Sequence, residues 1–390
     1  MKLVNSSLFF LCVLCVLCVL CGNFFAQDWK MVADGVEHAQ ARREFSGKPV
    51  DINLLRLDLK KVRLDVHHAF DKAIGLETTS SIAKRKGAIA AINAGFFRLD
   101  NSEFAGDASN LLKIDGIVLS ESKIGRVTLT IRNQRAETKA AINTLLPVSC
   151  TIFEKGSDGY IAEGINREIK SDEAVLYTPN FGQSVGLKNE TIRIVVRKGR
   201  IVRVSEENNE NLLIPRNGFV VLAHGSLRDL FRDLYKSRNI ISYGCVMLAD
   251  RDPQLGPTPL VRQFWNAEDA VAGVPQLIKN GKIDITWEQE KASRSFVEMR
   301  HPRTAVAKLK DGKFLMLTAD GRSEQSAGLD LYDLAKYMLE LGAIDAMNLD
   351  GGGSTTMFLD GKVVNKPSDK EGERKIGDAI VVTLRRKRDR

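Results

Sequence analysis

The sequence predicts an α+β fold, mixed β-sheets with packed helices in a single intertwined domain that contains a C-terminal strand-helix-strand unit. Three observations carry that expectation. Glycine is plentiful (31) and proline scarce (10), which suits many short strands joined by tight turns. Apolar residues recur with the two-residue period of strands over much of the chain, and helical spacing is confined to a few stretches. At 390 residues and 44% apolar content the chain can bury a full core, and neither a linker composition nor a tandem repeat divides it. The expected organisation is a signal peptide at 1–26, an N-terminal lead-in at 27–50, one domain at 51–384 and a basic tail at 385–390.

The first 26 residues differ from the rest. Lys2 precedes an apolar run from Leu8 to Leu20, followed by Cys21, Gly22 and Ala26. This reads as a secretory signal, because a run of about 13 residues is short of the ~20 that a spanning helix needs. The expected location is secreted or periplasmic, with membrane contact only through this segment if it stays uncleaved. Cys12, Cys15, Cys18 and Cys21 lie inside it, so only Cys150 and Cys245 remain in a mature chain. That leaves no zinc-ligand set and at most one disulfide, with a pair and two buried thiols both open. The net charge of +8 is partly carried by the terminal run Arg385 to Arg390. Without a basic stripe interleaved with aromatics, this argues against nucleic acid and suits anionic substrates or phosphate-bearing polymers.

Along the chain, Asp51 to Leu59 and Val62 to Val66 alternate as half-exposed strands. Thr79 or Ser80 caps a short helix that Gly87 stops. Ala88 to Phe97 is an apolar strand interrupted by Asn93, which either caps the turn into Gly95 or turns its amide toward a site. Asp107 follows in a polar loop. Ile192 to Val196 and Ile201 to Val204 form a hairpin across Lys198-Gly199-Arg200, and Gly225 to Arg238 is amphipathic at helical spacing.

The last hundred residues say most. Arg303 to Leu309 and Lys313 to Thr318 are paired strands joined at Lys310-Asp311-Gly312, and the second leads into Asp320-Gly321-Arg322. Asp330 caps a helix with Asp333 at its third position and Gly342 closes it. Ile344 to Leu349 then delivers Asp350-Gly351-Gly352-Gly353-Ser354-Thr355-Thr356. A strand-helix-strand unit ordinarily runs its strands parallel, which gathers both following loops at one sheet edge. Three successive glycines suggest a nest of backbone N–H groups that binds an anion, although a flexible hairpin without chemistry also fits the loop alone.

Arg300-His301-Pro302-Arg303-Thr304-Ala305, Asp320-Gly321-Arg322, Asn348 through Met357 and Asn365-Lys366-Pro367-Ser368-Asp369 together resemble the phosphodiester glycosidase family. Asn93-Ala94-Gly95-Phe96-Phe97 resembles its N-terminal motif. Two departures stand out: Ala272-Gly273-Val274-Pro275 replaces a longer glycine run, and Gly377-Asp378 stands where an asparagine is common. The resemblance implies a secreted hydrolase cleaving the C1–O bond of a sugar-1-phosphodiester, similar to an N-acetylglucosamine-1-phosphodiester, within a glycan or surface polymer such as an exopolysaccharide.

Such a reaction expels a phosphomonoester whose second pKa is about 6, so leaving-group protonation matters little. The site must cradle negative charge and bring a carboxylate to C1. Asp350 is the first candidate for that carboxylate and Asp320 the second. Arg303, counted with them as catalytic, and Arg322 can grip phosphate bidentately. Asn93, Gly351, Gly352, Gly353, Ser354 and Thr355 complete the expected substrate contacts. No cofactor or metal is called for. Two alternatives stay open: a binder of phosphate-bearing glycan without catalysis, and a phosphodiesterase cleaving P–O. The latter ordinarily needs metal ligands, and five histidines without an H-x-x-x-H spacing supply no compact set.

Overall fold

The computed structural model describes residues 27–155, 159–186, 190–207, 210–236, 240–247 and 258–385. The expected signal peptide, with its four cysteines, and the last five residues of the basic tail lie outside them. Among the described residues no helix is long and apolar enough to cross a membrane.

The framework is an eight-stranded sheet whose central strands are Lys48–Leu57, Phe314–Ala319, Arg303–Leu309 and Ala343–Asn348, in that spatial order. Each neighbouring pair is antiparallel. Phe314–Ala319 and Ala343–Asn348 are therefore parallel to each other, but with Arg303–Leu309 between them, and the helix Leu331–Glu340 connects them. Alternation along these strands feeds two cores. Leu315, Leu317, Ala305 and Ala307 pack against Leu331, Leu334, Ala335 and Met338 of that helix. Phe314, Met316 and Val306 face the opposite way, toward Val62, Leu64, Ala90, Ile92, Ile380 and Val382. Strands apolar on both faces are what a sheet covered on both sides requires.

The second layer includes a five-stranded sheet containing Met357–Leu359, Ala90–Asn93, Asp378–Leu384 and Val62–His68, paired antiparallel. Residues 30–45, read from the sequence as a lead-in, form the strands Lys30–Ala33 and Val36–Phe45 at the edge of the large sheet. The middle of the chain builds sheets of its own. Val148–Glu154 pairs with Ile241–Met247, and a five-stranded sheet around Thr191–Arg197 and Gly218–His224 packs beside them with a separate core. Cys150 and Cys245 are opposite each other in that register and form a disulfide, so the crosslink sits where the chain enters and leaves this module.

These sheets overturn the α+β expectation. The structure is mostly β, with 47% of residues in strands, 13% in helix and five α-helices among the described residues. The helical signals were real: Thr79–Arg85 is capped by Thr78, and Leu331–Glu340 is capped by the Asp330 carboxylate, which accepts from the Asp333 N–H at 2.8 Å. They do not set the architecture because none exceeds ten residues, whereas antiparallel pairing claims nearly every apolar run between turns.

Candidate active site

The glycine loop crosses from Asn348, at the end of one sheet, to Met357, at the start of a strand in the other. What holds it there is Asn93, fully buried at the end of Ala90–Asn93. Its Nδ2 donates to the Asp350 carbonyl at 2.7 Å. Its Oδ1 accepts from the Thr304 hydroxyl at 2.8 Å and the Thr356 N–H at 3.1 Å. The next residue continues the tether, since the Asp350 N–H donates to the Ala94 carbonyl at 2.9 Å. Asn93 thus joins both sheets to the loop, and its amide is spent on the protein, not displayed to a ligand.

Each glycine in the loop answers a steric demand. A side chain on Gly351 would start 2.6 Å from the Pro302 carbonyl oxygen, and one on Gly353 would overlap the Arg374 guanidinium and the Asp369 carboxylate. Gly352 has φ of +60° and lies under Arg322, whose Nη2 is 2.9 Å from where a side chain would begin. The loop's N–H groups mostly point inward. Gly351 donates to Asp350 Oδ1 at 2.9 Å, Gly352 to the Pro302 carbonyl at 2.8 Å, and Ser354 and Thr355 close a 3₁₀ turn. The expected three-donor nest is therefore corrected: close approach of backbone and side chains, not anion cradling by successive N–H groups, is why three glycines are needed. Ser354 and Thr355 are likewise enclosed: the hydroxyls of Thr355 and Thr356 are buried without a hydrogen-bond partner, and that of Ser354 lies by the Asp350 carboxyl.

Two carboxyl groups flank the Ala94-Gly95 peptide. Asp350 is half-buried, and burial pushes its pKa up to about 6; neighbouring Asp378 adds to the rise, while the Ser354 hydroxyl, the Gly351 N–H and Arg374 oppose it. Asp378 opens the strand Asp378–Leu384 and is buried outright. Its Oδ1 accepts from the Gly95 N–H at 2.6 Å, its Oδ2 has no partner, and burial pushes its pKa up to about 6 as well. Beyond Asp350, Arg374 grips Asp369 bidentately at 2.7 and 3.0 Å.

A cationic corner lies beside the loop. Arg322 is exposed, with φ of +63°, and reaches over Gly352. Arg303 and Arg322 both depress the pKa of His301, after burial itself. Arg303 does not present an open fork. Its guanidinium is buried, donating to the carbonyls of Leu329 (2.9 Å), Phe296 (2.9 Å) and Met299 (2.8 Å) and stacking 5.1 Å over the Phe296 ring. Burial lowers its pKa to about 10, so it stays cationic at neutral pH. Its charge contributes to the corner while its hydrogen bonds brace the segments around it, which corrects the expectation of a bidentate phosphate clamp.

Asp320 is also placed elsewhere. Its carboxylate accepts from the Asn365 side chain at 3.1 Å and from the Lys366 N–H at 3.0 Å, and Asn365 in turn holds the Thr355 carbonyl and the Met357 N–H. It anchors the outgoing end of the glycine loop, its carboxylate committed to that latch, so the second-carboxylate expectation is corrected. Asp107, in the loop after Phe97, joins Glu121 and Arg167; burial and then Glu121 push its pKa up to about 7.

The family model for phosphodiester glycosidases matches residues 190–383, which takes in the helix, the glycine loop, Arg374 and Asp378. The chain belongs to the phosphodiester glycosidase family. A mouse N-acetylglucosamine-1-phosphodiester alpha-N-acetylglucosaminidase is 39% identical over 108 residues, 25% of this chain and 21% of that protein. The chain thus spans about a fifth of the length of the curated relatives it matches. Among solved structures, a Synechocystis protein shares the fold with a TM-score of 0.77 at 20% identity, covering 93% of this chain and 64% of its own. A Burkholderia pseudomallei protein does so with a TM-score of 0.72 at 23% identity, covering 86% and 74%. Within this phosphodiester glycosidase domain, sequence reasoning singled out Asp350 and Arg322, which the fold brings to one edge. It passed over Arg374 and gave Asp378 no role. The signal for both was present in the polar cluster that follows Asn365, but nothing local says that this cluster returns to Asp350.

Proposed function

We propose that this phosphodiester glycosidase hydrolyses the C1–O bond of a sugar-1-phosphodiester in a glycan or surface polymer, with Asp350 as the carboxylate at C1 and Arg322 as the phosphate contact. The observation that carries the reading is the placement of Arg322 on Gly352, two residues from Asp350: an exposed guanidinium lies on the same loop that carries a partly shielded carboxyl. Phosphate on Arg322 would set the anomeric carbon near the loop. A leaving group already stable as an anion needs charge stabilisation, which Arg303 and Arg322 favour as a cationic corner with His301 held neutral beside them. Asp350 then attacks C1 or takes the proton of a water that does so. Family membership supports the reaction class, and the disulfide at Cys150–Cys245 supports an extracytoplasmic setting, where such bonds persist.

The test is incubation with N-acetylglucosamine-α-1-phospho-methyl-mannoside, with products resolved by mass. Free sugar and phosphomonoester in equal amounts are expected. Sugar phosphate would mean P–O cleavage and overturn the mechanism. Binding without turnover across a panel of sugar-1-phosphodiesters would mean a non-catalytic glycan binder.

A further inference from the structure

We propose that Asp378 works as a neutral carboxylic acid with its proton on Oδ2, a positioning residue that leaves Asp350 to carry the negative charge of the pair. The inference rests on the reading of Asp350 as the carboxylate at C1. Its own support is geometric. Asp378 is 1% exposed, with a single donor, the Gly95 N–H, on Oδ1 and a buried Oδ2 that meets no partner. Gly95 leaves that carboxyl its room, because a side chain there would start 3.2 Å from Oδ2.

The groups facing Asp378 supply little to hold a charge. Opposite it on Val62–His68 is His68, buried, its pKa lowered by desolvation, with Nε2 2.9 Å from the Gly106 carbonyl. On the Ala90–Asn93 side stand uncharged Asn93, Ala94 and Gly95, and Val271 closes over Gly95. From the glycine loop comes Asp350, a like charge. Arg374 acts on Asp350 and is itself bonded to Asp369. An isolated buried carboxylate loses its hydration with one hydrogen bond in return, which disfavours the charged form. A proton on Oδ2 removes that charge and turns an orphaned acceptor into a donor. Asp350 is more exposed and has the Gly351 N–H, the Ser354 hydroxyl and Arg374 to support its ionised form. The two environments therefore divide one charge unequally. The first proton leaves Asp350, and the resulting anion holds the second on Asp378 to higher pH.

The test reads protonation directly, by infrared spectroscopy of the carboxylic C=O band in D₂O from acid to alkaline pH, as a difference between the full-length wild type and Asp378→Asn. A protonated-acid band at neutral pH, present in the wild type and missing from the variant, is expected. In Asp350→Asn the same band should titrate at lower pH, by roughly one unit, since the like charge is gone. On a sugar-1-phosphodiester, the wild type should give a bell-shaped kcat/KM profile. Asp378→Asn keeps an acceptor for Gly95 and places an N–H where the O–H stood, so it should retain the acid limb and lose the alkaline limb. No band difference at neutral pH overturns the proposal, as does an alkaline limb unchanged in Asp378→Asn. A band without turnover of any sugar-1-phosphodiester overturns the functional reading and the positioning role, and leaves the neutral acid standing.

Discussion

Replacing Asn93 with alanine separates a structural tie from a ligand contact. The side chain is fully buried and makes three hydrogen bonds, to the Asp350 carbonyl, the Thr304 hydroxyl and the Thr356 N–H. Thr304 and Thr356 are themselves completely buried, so water does not readily replace the missing partner. Each stranded group costs about 1–3 kcal/mol, and rotation of the Thr304 hydroxyl relieves one of them in part, so the loss should be about 3–6 kcal/mol. Urea unfolding with an unchanged m-value measures it. Asn93→Asp keeps both acceptor roles but sets a carboxylate oxygen against the Asp350 carbonyl, and should be no more stable than the alanine variant. Because the tether acts on the Asp350 backbone, surviving folded protein should lose kcat more than it gains KM. A loss below about 1 kcal/mol, or a KM effect alone at full stability, would refute this reasoning and return Asn93 to the substrate contacts.

Arg322→Ala should leave stability within about 0.5 kcal/mol, since the side chain is exposed, yet raise KM for a phosphodiester roughly tenfold or more, with Arg322→Lys only partly restoring it. Asp350→Asn should fold normally by circular dichroism and lose kcat by a factor on the order of 10² to 10⁴; a change confined to binding would make the residue a loop organiser. Reducing the Cys150–Cys245 bond, or replacing both cysteines by alanine, frees a 95-residue loop and should cost about 4–5 kcal/mol in denaturant melts. The pH dependence of stability should differ between wild type and Asp378→Asn. Burial raises the native carboxyl from 3.8 to about 6, and in the proposed pair the charge on Asp350 holds it higher still, so its contribution is fully present below the unfolded value and is lost as pH rises through the native one. Thermal melts at a series of pH values should show the asparagine variant gaining on the wild type by about 3 kcal/mol or more across that window.

Much of the site's vicinity is written in local sequence. The 303–318 hairpin follows from two apolar runs and a Lys-Asp-Gly turn, and the Asp330 cap from a carboxylate three residues ahead of the N–H it accepts. The glycine loop is conspicuous because three glycines in a row have few other uses. These signals act within a few residues, where backbone geometry and side-chain reach alone decide the outcome. The same locality explains why helical periods at three places suggested α+β: period reports how an element coils, not how much of the chain pairs into sheets.

What the sequence determined by itself was therefore the set of elements, the edge to which Arg322 and Asp350 are delivered, and the resemblance that points to phosphodiester chemistry. Tertiary structure alone decided what each polar group does there. Arg303 offers five donors to any acceptor, and only the fold shows that backbone carbonyls claim three of them. Asn93 and Asp350 are 257 residues apart and Gly95 and Asp378 are 283 apart, so no spacing foretells either bond. The disulfide depends in the same way on two strands 95 residues apart falling into register. Burial and partner identity, which set charge and pKa, are properties of the packed chain, and they come into being only when distant segments exclude water from between them.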